Sequence, residues 1–161
     1  MSETNEARET AEDTQYLTFF VAREEYAIDV LRVREVVGVV PITRVPATPR
    51  DVRGVVNLRG HVVPVVDLGL RFGRDELTPT RRSCIVVVEP DPGVDRIVGL
   101  LVDSVSRVVT LAPDAVVPVP PFGTRASAEL LSGMGIVGSA FVLILVPERV
   151  ARVEESTETA A

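Results

Sequence analysis

The apolar positions between Tyr16 and Val150 fall into short runs separated by turns, and most of the runs read as strands. Tyr16–Ala22 and Glu25–Val30 flank the turn Ala22-Arg-Glu-Glu25. Val33–Val40 follows, with a spacing that suits either a strand or one helical turn. Ile42–Pro49 is a loop punctuated by proline, and Val55–Leu58 and Val62–Leu68 are the next two strands. Further on, Cys84–Val88 and Ile97–Val102 flank Glu89-Pro-Asp-Pro-Gly-Val-Asp95, a strong turn signal. Val105–Leu111, a proline-rich loop and Phe141–Val146 complete the pattern. The best helix candidate, Thr124–Leu131, is only about two turns long. Pro64 has no N–H for a ladder, which places its strand at a sheet edge or at a bulge.

The pattern repeats. Val33-Arg-Glu-Val-Val37 recurs as Val105-Ser-Arg-Val-Val109, an offset of 72. Later the offset is 79: Gly54 then matches Gly133, and Val62–Val66 matches Phe141–Leu145. An insertion around Pro120–Ala128 accounts for the change. Repeats of this kind indicate a structural duplication. About five short strands per half predict an all-β fold of two small five-stranded barrels in tandem, with short helical segments. The first barrel is expected over about 16–78 and the second over about 79–150, with Gly54 and Gly133 in equivalent turns. Closure would remove strand edges that such valine-rich segments otherwise expose to aggregation.

Composition supports this reading. Apolar residues make up 46% of the chain, yet only seven residues are aromatic while 32 are valine, a β-branched residue that suits a pleated surface. Charge separates body from ends. Residues 1–15 carry five acids and one arginine, and residues 151–161 carry three acids and one arginine. Both segments lack apolar periodicity and are expected to be disordered tails. The body between them holds 15 acids and 15 arginines. A neutral body argues against nucleic acid, which needs clustered positive charge. The acidic N-terminus carries no secretory pattern, and the longest apolar run, Ala140–Pro147, is far short of the roughly 20 residues that span a bilayer. The chain is therefore expected to be cytoplasmic, without direct membrane insertion.

Catalytic chemistry finds little support. His61 is the one imidazole, no serine sits in a nucleophile motif, and Cys84 lies inside a strand. One histidine, one cysteine and scattered acids give no metal-ligand spacing. Asp67 precedes Leu68-Gly69 and reads as a turn cap. Gly133-Met-Gly-Ile-Val-Gly138 fits a dinucleotide fingerprint by letter, but a helical stretch precedes it and a strand follows, the inverse of the required order. It reads as a glycine-rich turn. The expectation is a protein without catalytic residues, cofactor or metal.

What remains is Asn57-Leu-Arg-Gly-His61, a polar knot between two valine runs. Gly60 can take the positive φ of a tight turn, which presents Arg59 outward. Arg44, Arg50 and Arg53 lie nearby in sequence, opposed by Asp51. This is either a solvated basic loop or a recognition patch for an acidic partner, a role in which arginine is over-represented.

Several segments together resemble the CheW-like coupling proteins of bacterial and archaeal chemotaxis. They are Tyr26-Ala-Ile-Asp-Val30, Val33-Arg-Glu-Val36, Ile42-Thr-Arg-Val-Pro46, Val52-Arg-Gly-Val-Val-Asn-Leu-Arg-Gly60 and Val63-Pro-Val-Val-Asp-Leu68. In the second half Val98-Gly-Leu-Leu-Val-Asp103, Val105-Ser-Arg-Val108, Pro118–Pro120 and Leu131-Ser-Gly-Met-Gly135 match as well. The resemblance runs from about Tyr16 to Val150. It implies two SH3-like five-stranded barrels and a non-catalytic scaffold. Such a scaffold is monomeric alone and joins chemoreceptor cytoplasmic tips to the regulatory domain of a CheA-type histidine kinase in membrane-associated arrays. It also implies that Glu35, Asn57, Arg59 and Gly60, with Val33, Val36 and Val105, face partners. Glu35 and Arg59 are expected to approach each other in the free protein. The same resemblance covers scaffolds of non-flagellar chemosensory systems, the alternative reading of the pathway.

Overall fold

The computed structural model describes residues 13–120 and 125–153. It contains eleven strands among those residues: β1 (Thr14–Val21), β2 (Glu24–Asp29), β3 (Val33–Gly38), β4 (Val52–Leu58), β5 (His61–Asp67), β6 (Cys84–Val88), β7 (Val98–Val102), β8 (Ser104–Leu111), β9 (Val116–Val117), β10 (Leu131–Val137) and β11 (Ala140–Leu145). Three short α-helices accompany them: α1 (Leu68–Arg71) and α2 (Arg125–Leu130) between strands, and α3 (Pro147–Val150) after the last one. The all-β expectation holds. Among the described residues no helix is long and apolar enough to cross a membrane.

The strands form two sheets, ordered β3-β6-β7-β5-β4 and β8-β1-β2-β11-β10-β9. The division expected near residue 78 is not the one the chain makes. The hairpin β1–β2 joins the sheet built otherwise from the second half, and β6–β7 joins the sheet built otherwise from the first. The repeat survives this exchange strand for strand. By order and pairing β3 matches β8, β6 matches β1, β7 matches β2, β5 matches β11 and β4 matches β10. An isolated bridge from Thr43 to Val55 takes the place beside β4 that β9 takes beside β10. Register agrees as well: Val65 lies opposite Gly99 where β5 meets β7 in parallel, and Ile144 lies opposite Ala27 where β11 meets β2. These two positions are related by the sequence offsets of 79 and 72. The chain crosses between sheets at two short links, the 3₁₀ turn Val30–Arg32 and the single residue Asp103. Both are held by hydrogen bonds: the Leu31 N–H donates to the Asp29 side chain at Oδ1, 2.9 Å away, and the Asp103 N–H donates to the Phe20 carbonyl at 2.9 Å.

One core spans both sheets. Leu17, Phe19, Val21, Tyr26 and Ile28 of one pack with Val56, Val63, Val65, Ile85, Leu100 and Leu101 of the other. Burying each such side chain contributes about 1.5–3 kcal/mol, so the interface between sheets is a main source of stability. A smaller cluster, Ala27, Leu111, Val142 and Ile144, fills the other face of the second sheet. Strand β7 is buried at all five positions, in keeping with its place at the centre of a covered sheet.

Several local expectations change. Gly54 and Gly133 lie inside β4 and β10, not in turns, each at a register shift of its hairpin. Gly54 has φ +142°, and a Cβ there would stand 2.1 Å from the Thr43 carbonyl oxygen, so the bridge to Thr43 requires glycine. The stretch Gly133–Val137 is strand, and only Gly138 belongs to a turn. Pro64 is on an interior strand, but the ladder to β7 begins at Val65, so its missing N–H falls beyond the parallel pairing. Thr14 and Gln15 are part of β1, and Ala151 is fully buried, so the structured body extends beyond 16–150 at both ends. The remainder of the expected tails, 1–12 and 154–161, lies outside the described residues.

Candidate functional site

The β4–β5 hairpin closes through Arg59 and Gly60, with Leu58 paired to His61. Both turn residues have positive φ, 51° and 88°. This is the two-residue geometry whose twist suits the flanking strands. The Gly60 N–H donates to Asn57 Oδ1 at 2.8 Å. His61 and Val62 follow on the exposed side.

Arg59 does not simply point into solvent. Its guanidinium donates to the carboxylate of Glu35 on β3 and forms an ion pair with it. The two side chains differ in exposure, 71% for Arg59 against 25% for Glu35. On β3, Val33, Glu35 and Val37 are half-buried while Arg34, Val36 and Gly38 are exposed. Glu35 thus stands in the half-buried row, and Arg59 covers it from outside. The hydrogen bond from Arg59 holds the Glu35 carboxyl below its ordinary range, and the same bond raises the arginine.

The valines divide. Val36 is 41% exposed, whereas Val33 and Val105 are half-buried and pack against the shared core. Val33 and Val105 are repeat equivalents, each close behind a link between sheets. The basic loop expected around the hairpin is smaller than the sequence suggests. Arg44 and Arg50 are exposed, but Arg53 turns inward, its Nη1 2.7 Å from Asp67 Oδ2 and 3.0 Å from the Leu77 carbonyl oxygen. Asp51 accepts from Arg71 Nε at 2.8 Å and does not face the patch. Asp67 caps α1, its Oδ1 accepting the Leu70 N–H at 3.1 Å.

Sequence reasoning did not pick out the corresponding face of the second sheet. Val108 matches Val36, Phe141 matches Val62 and Ile136 matches Asn57, and all three are exposed apolar side chains. The signal for them was the same pair of offsets, 72 and 79, read past the conserved letters to the positions themselves. At the place of Arg59 this second face has Gly138, and at the place of Glu35 it has Arg107, which pairs with Glu25. The two faces share a scaffold and differ in chemistry.

Residues 15–155 match the model of the CheW-like domain family. The chain is similar to the chemotaxis protein CheW of Klebsiella aerogenes, 33% identical over 141 residues that cover 88% of this chain and 83% of the relative. It is 34% identical to the chemotaxis protein CheW of Helicobacter pylori over 141 residues, 88% of this chain and 79% of the relative. Among solved structures, the scaffolding protein TtCheW from Thermoanaerobacter tengcongensis superposes with a TM-score of 0.77 at 32% identity, covering 88% of this chain and 89% of that one.

Proposed function

Because the chain belongs to the CheW-like domain family, we propose that it is a non-catalytic adaptor coupling chemoreceptors to a CheA-type histidine kinase in chemotaxis. The observation that carries this reading to particular residues is the Glu35–Arg59 pair. An arginine at the tip of a hairpin, fixed by a carboxylate on another strand, is a charge in a set place. Such charges steer association and select partners more than they add affinity. In this reading Glu35, Asn57, Arg59, Gly60 and Val36 face partners directly, and Val33 and Val105 shape the surface from beneath. The partners are the kinase regulatory domain and the receptor cytoplasmic tip, and the protein reaches membrane arrays through them. The names of the relatives, chemotaxis proteins, favour this output over a non-flagellar chemosensory scaffold.

The test is co-sedimentation with a CheA-type kinase and receptor tip fragments from the same organism, using wild type and Arg59→Glu. Wild type is expected to join both partners, and the variant to remain folded, keep the kinase and lose the receptor. A folded wild type that joins neither would overturn the coupling function. An Arg59→Glu protein that unfolds would assign Arg59 to stability instead.

A further inference from the structure

The internal repeat supplies a control for the Arg59 turn. Two of the two-residue hairpin turns stand at equivalent places, Arg59-Gly60 and Gly138-Ser139. At the first position both turns have positive φ, 51° for Arg59 and 62° for Gly138, whereas at the second only Gly60, at 88°, keeps it and Ser139 does not. Glycine adopts that conformation freely; a residue with a Cβ does so against a steric penalty. The arginine is therefore placed where the second hairpin uses glycine, and something must hold the backbone there.

The difference lies two residues earlier. Asn57 precedes the strained turn and accepts the Gly60 N–H at 2.8 Å, while its counterpart Ile136 has no polar atom to offer. A second instance follows the same rule. The β1–β2 turn has non-glycine residues at both positive-φ positions, Ala22 at 52° and Arg23 at 73°, and there Asp103 Oδ2 accepts the Ala22 N–H at 2.8 Å. Thus both of these turns with a non-glycine first residue carry a side-chain oxygen on a turn N–H, and the glycine turn at the equivalent hairpin has an aliphatic residue in that place.

We infer that Asn57 is a positioning residue: its side-chain oxygen holds the left-handed turn that sets Arg59 against Glu35, and its effect on partner recognition runs through that turn. This deepens the adaptor reading and rests on it for the partner's identity, but the lock itself is a property of the free protein. Asn57 is exposed, so its replacement leaves the core untouched. Removing the oxygen frees the Gly60 amide and lets the turn sample conformers in which Arg59 leaves the carboxylate.

The experiment compares wild type, Asn57→Ala and Asn57→Asp by three readouts. The first is hydrogen exchange of the Gly60 amide, the second the NMR titration of the Glu35 carboxyl, and the third binding to the kinase regulatory domain and the receptor tip. In Asn57→Ala the Gly60 amide is expected to exchange about tenfold faster, the Glu35 titration to move up toward the ordinary carboxylate range, and binding to weaken about fivefold, the weight of one net hydrogen bond. Asn57→Asp keeps an acceptor oxygen and should restore Gly60 protection. Unchanged Gly60 exchange and Glu35 titration in Asn57→Ala would overturn the lock. So would a loss of binding in Asn57→Asp as large as in Asn57→Ala with Gly60 still protected, because Asn57 would then touch the partner itself. If wild type binds neither partner, the adaptor reading fails while the first two readouts still decide the lock.

Discussion

The carboxylate of Asp67 is fully buried and meets the guanidinium of Arg53 at 2.7 Å, inside the hairpin whose far end carries Arg59. Asp67 spends every oxygen: Oδ1 accepts the Leu70 N–H, and Oδ2 accepts Arg53 Nη1 and, at 3.1 Å, the Leu77 N–H. One side chain thereby caps α1, neutralises a half-buried arginine and pins the segment that returns through Leu77.

Removing one partner of a buried pair leaves the other charge uncompensated, which costs about 3–5 kcal/mol. Asp67→Ala is expected to lose that much in urea unfolding, and Asp67→Asn less, because the amide oxygen can still cap α1. A loss under about 1 kcal/mol for Asp67→Ala would show that water or a neighbour such as Glu76, 3.5 Å from Arg53, replaces the carboxylate.

The two glycines of the first hairpin should respond differently to alanine. At Gly54 the new Cβ would meet the Thr43 oxygen at 2.1 Å with φ at +142°, so strain and overlap combine to more than about 3 kcal/mol. At Gly60 nothing lies within 4 Å, so only the left-handed backbone is penalised, by about 1–2 kcal/mol. Thermal unfolding of both variants ranks them; a reversed order would mean that the Thr43 bridge gives way easily.

Exchange of hairpins between the sheets makes the halves interdependent. Fragments 1–78 and 79–161 each contain strands of both sheets and lack the partners that complete either one. Each fragment alone is expected to show no cooperative unfolding by circular dichroism, and the mixture to regain the spectrum and size of the intact chain. Independent folding of either fragment would contradict the exchanged topology.

Glu35 has its carboxyl held low by Arg59, with the charge of Arg34 adding to the effect. A group depressed in the folded state contributes stability above its unfolded pKa of about 4.3, and that contribution disappears as pH falls through the lower folded value. The ion pair should persist at neutral pH and open only below the ordinary carboxylate range. Arg59→Gln should move the Glu35 titration back up, and NMR of the carboxyl carbon measures it. The pair is exposed on the arginine side, so added salt should shrink the difference between wild type and variant.

Much of this protein could be read from its residues because strands and tight turns are local objects. The hairpins β1–β2, β4–β5 and β6–β7 follow from apolar runs, valine-rich in the last two, around Ala22-Arg23, Arg59-Gly60 and the proline-rich turn after Glu89. Their register needs only the turn and the alternation of side chains. The capping role of Asp67 was visible for the same reason, and the offsets of 72 and 79 already contained the equivalence of Gly54 with Gly133 and of Val36 with Val108.

The sequence by itself therefore determined most of the strands, though not β9 or β10, together with the duplication and the exposure of Arg59 at a turn. It did not determine which hairpin enters which sheet, since backbone ladders pair any two strands alike and the choice falls to the shared core. Phe19 and Ile28 can bury themselves only against the strands of the other sheet, as Leu100 and Leu101 do from their side. Nor did it separate Arg53 from Arg59: both are arginines of one hairpin. Only the folded chain turns Arg53 inward to Asp67, whereas the approach of Arg59 to Glu35, 24 residues earlier in the sequence, was already an expectation.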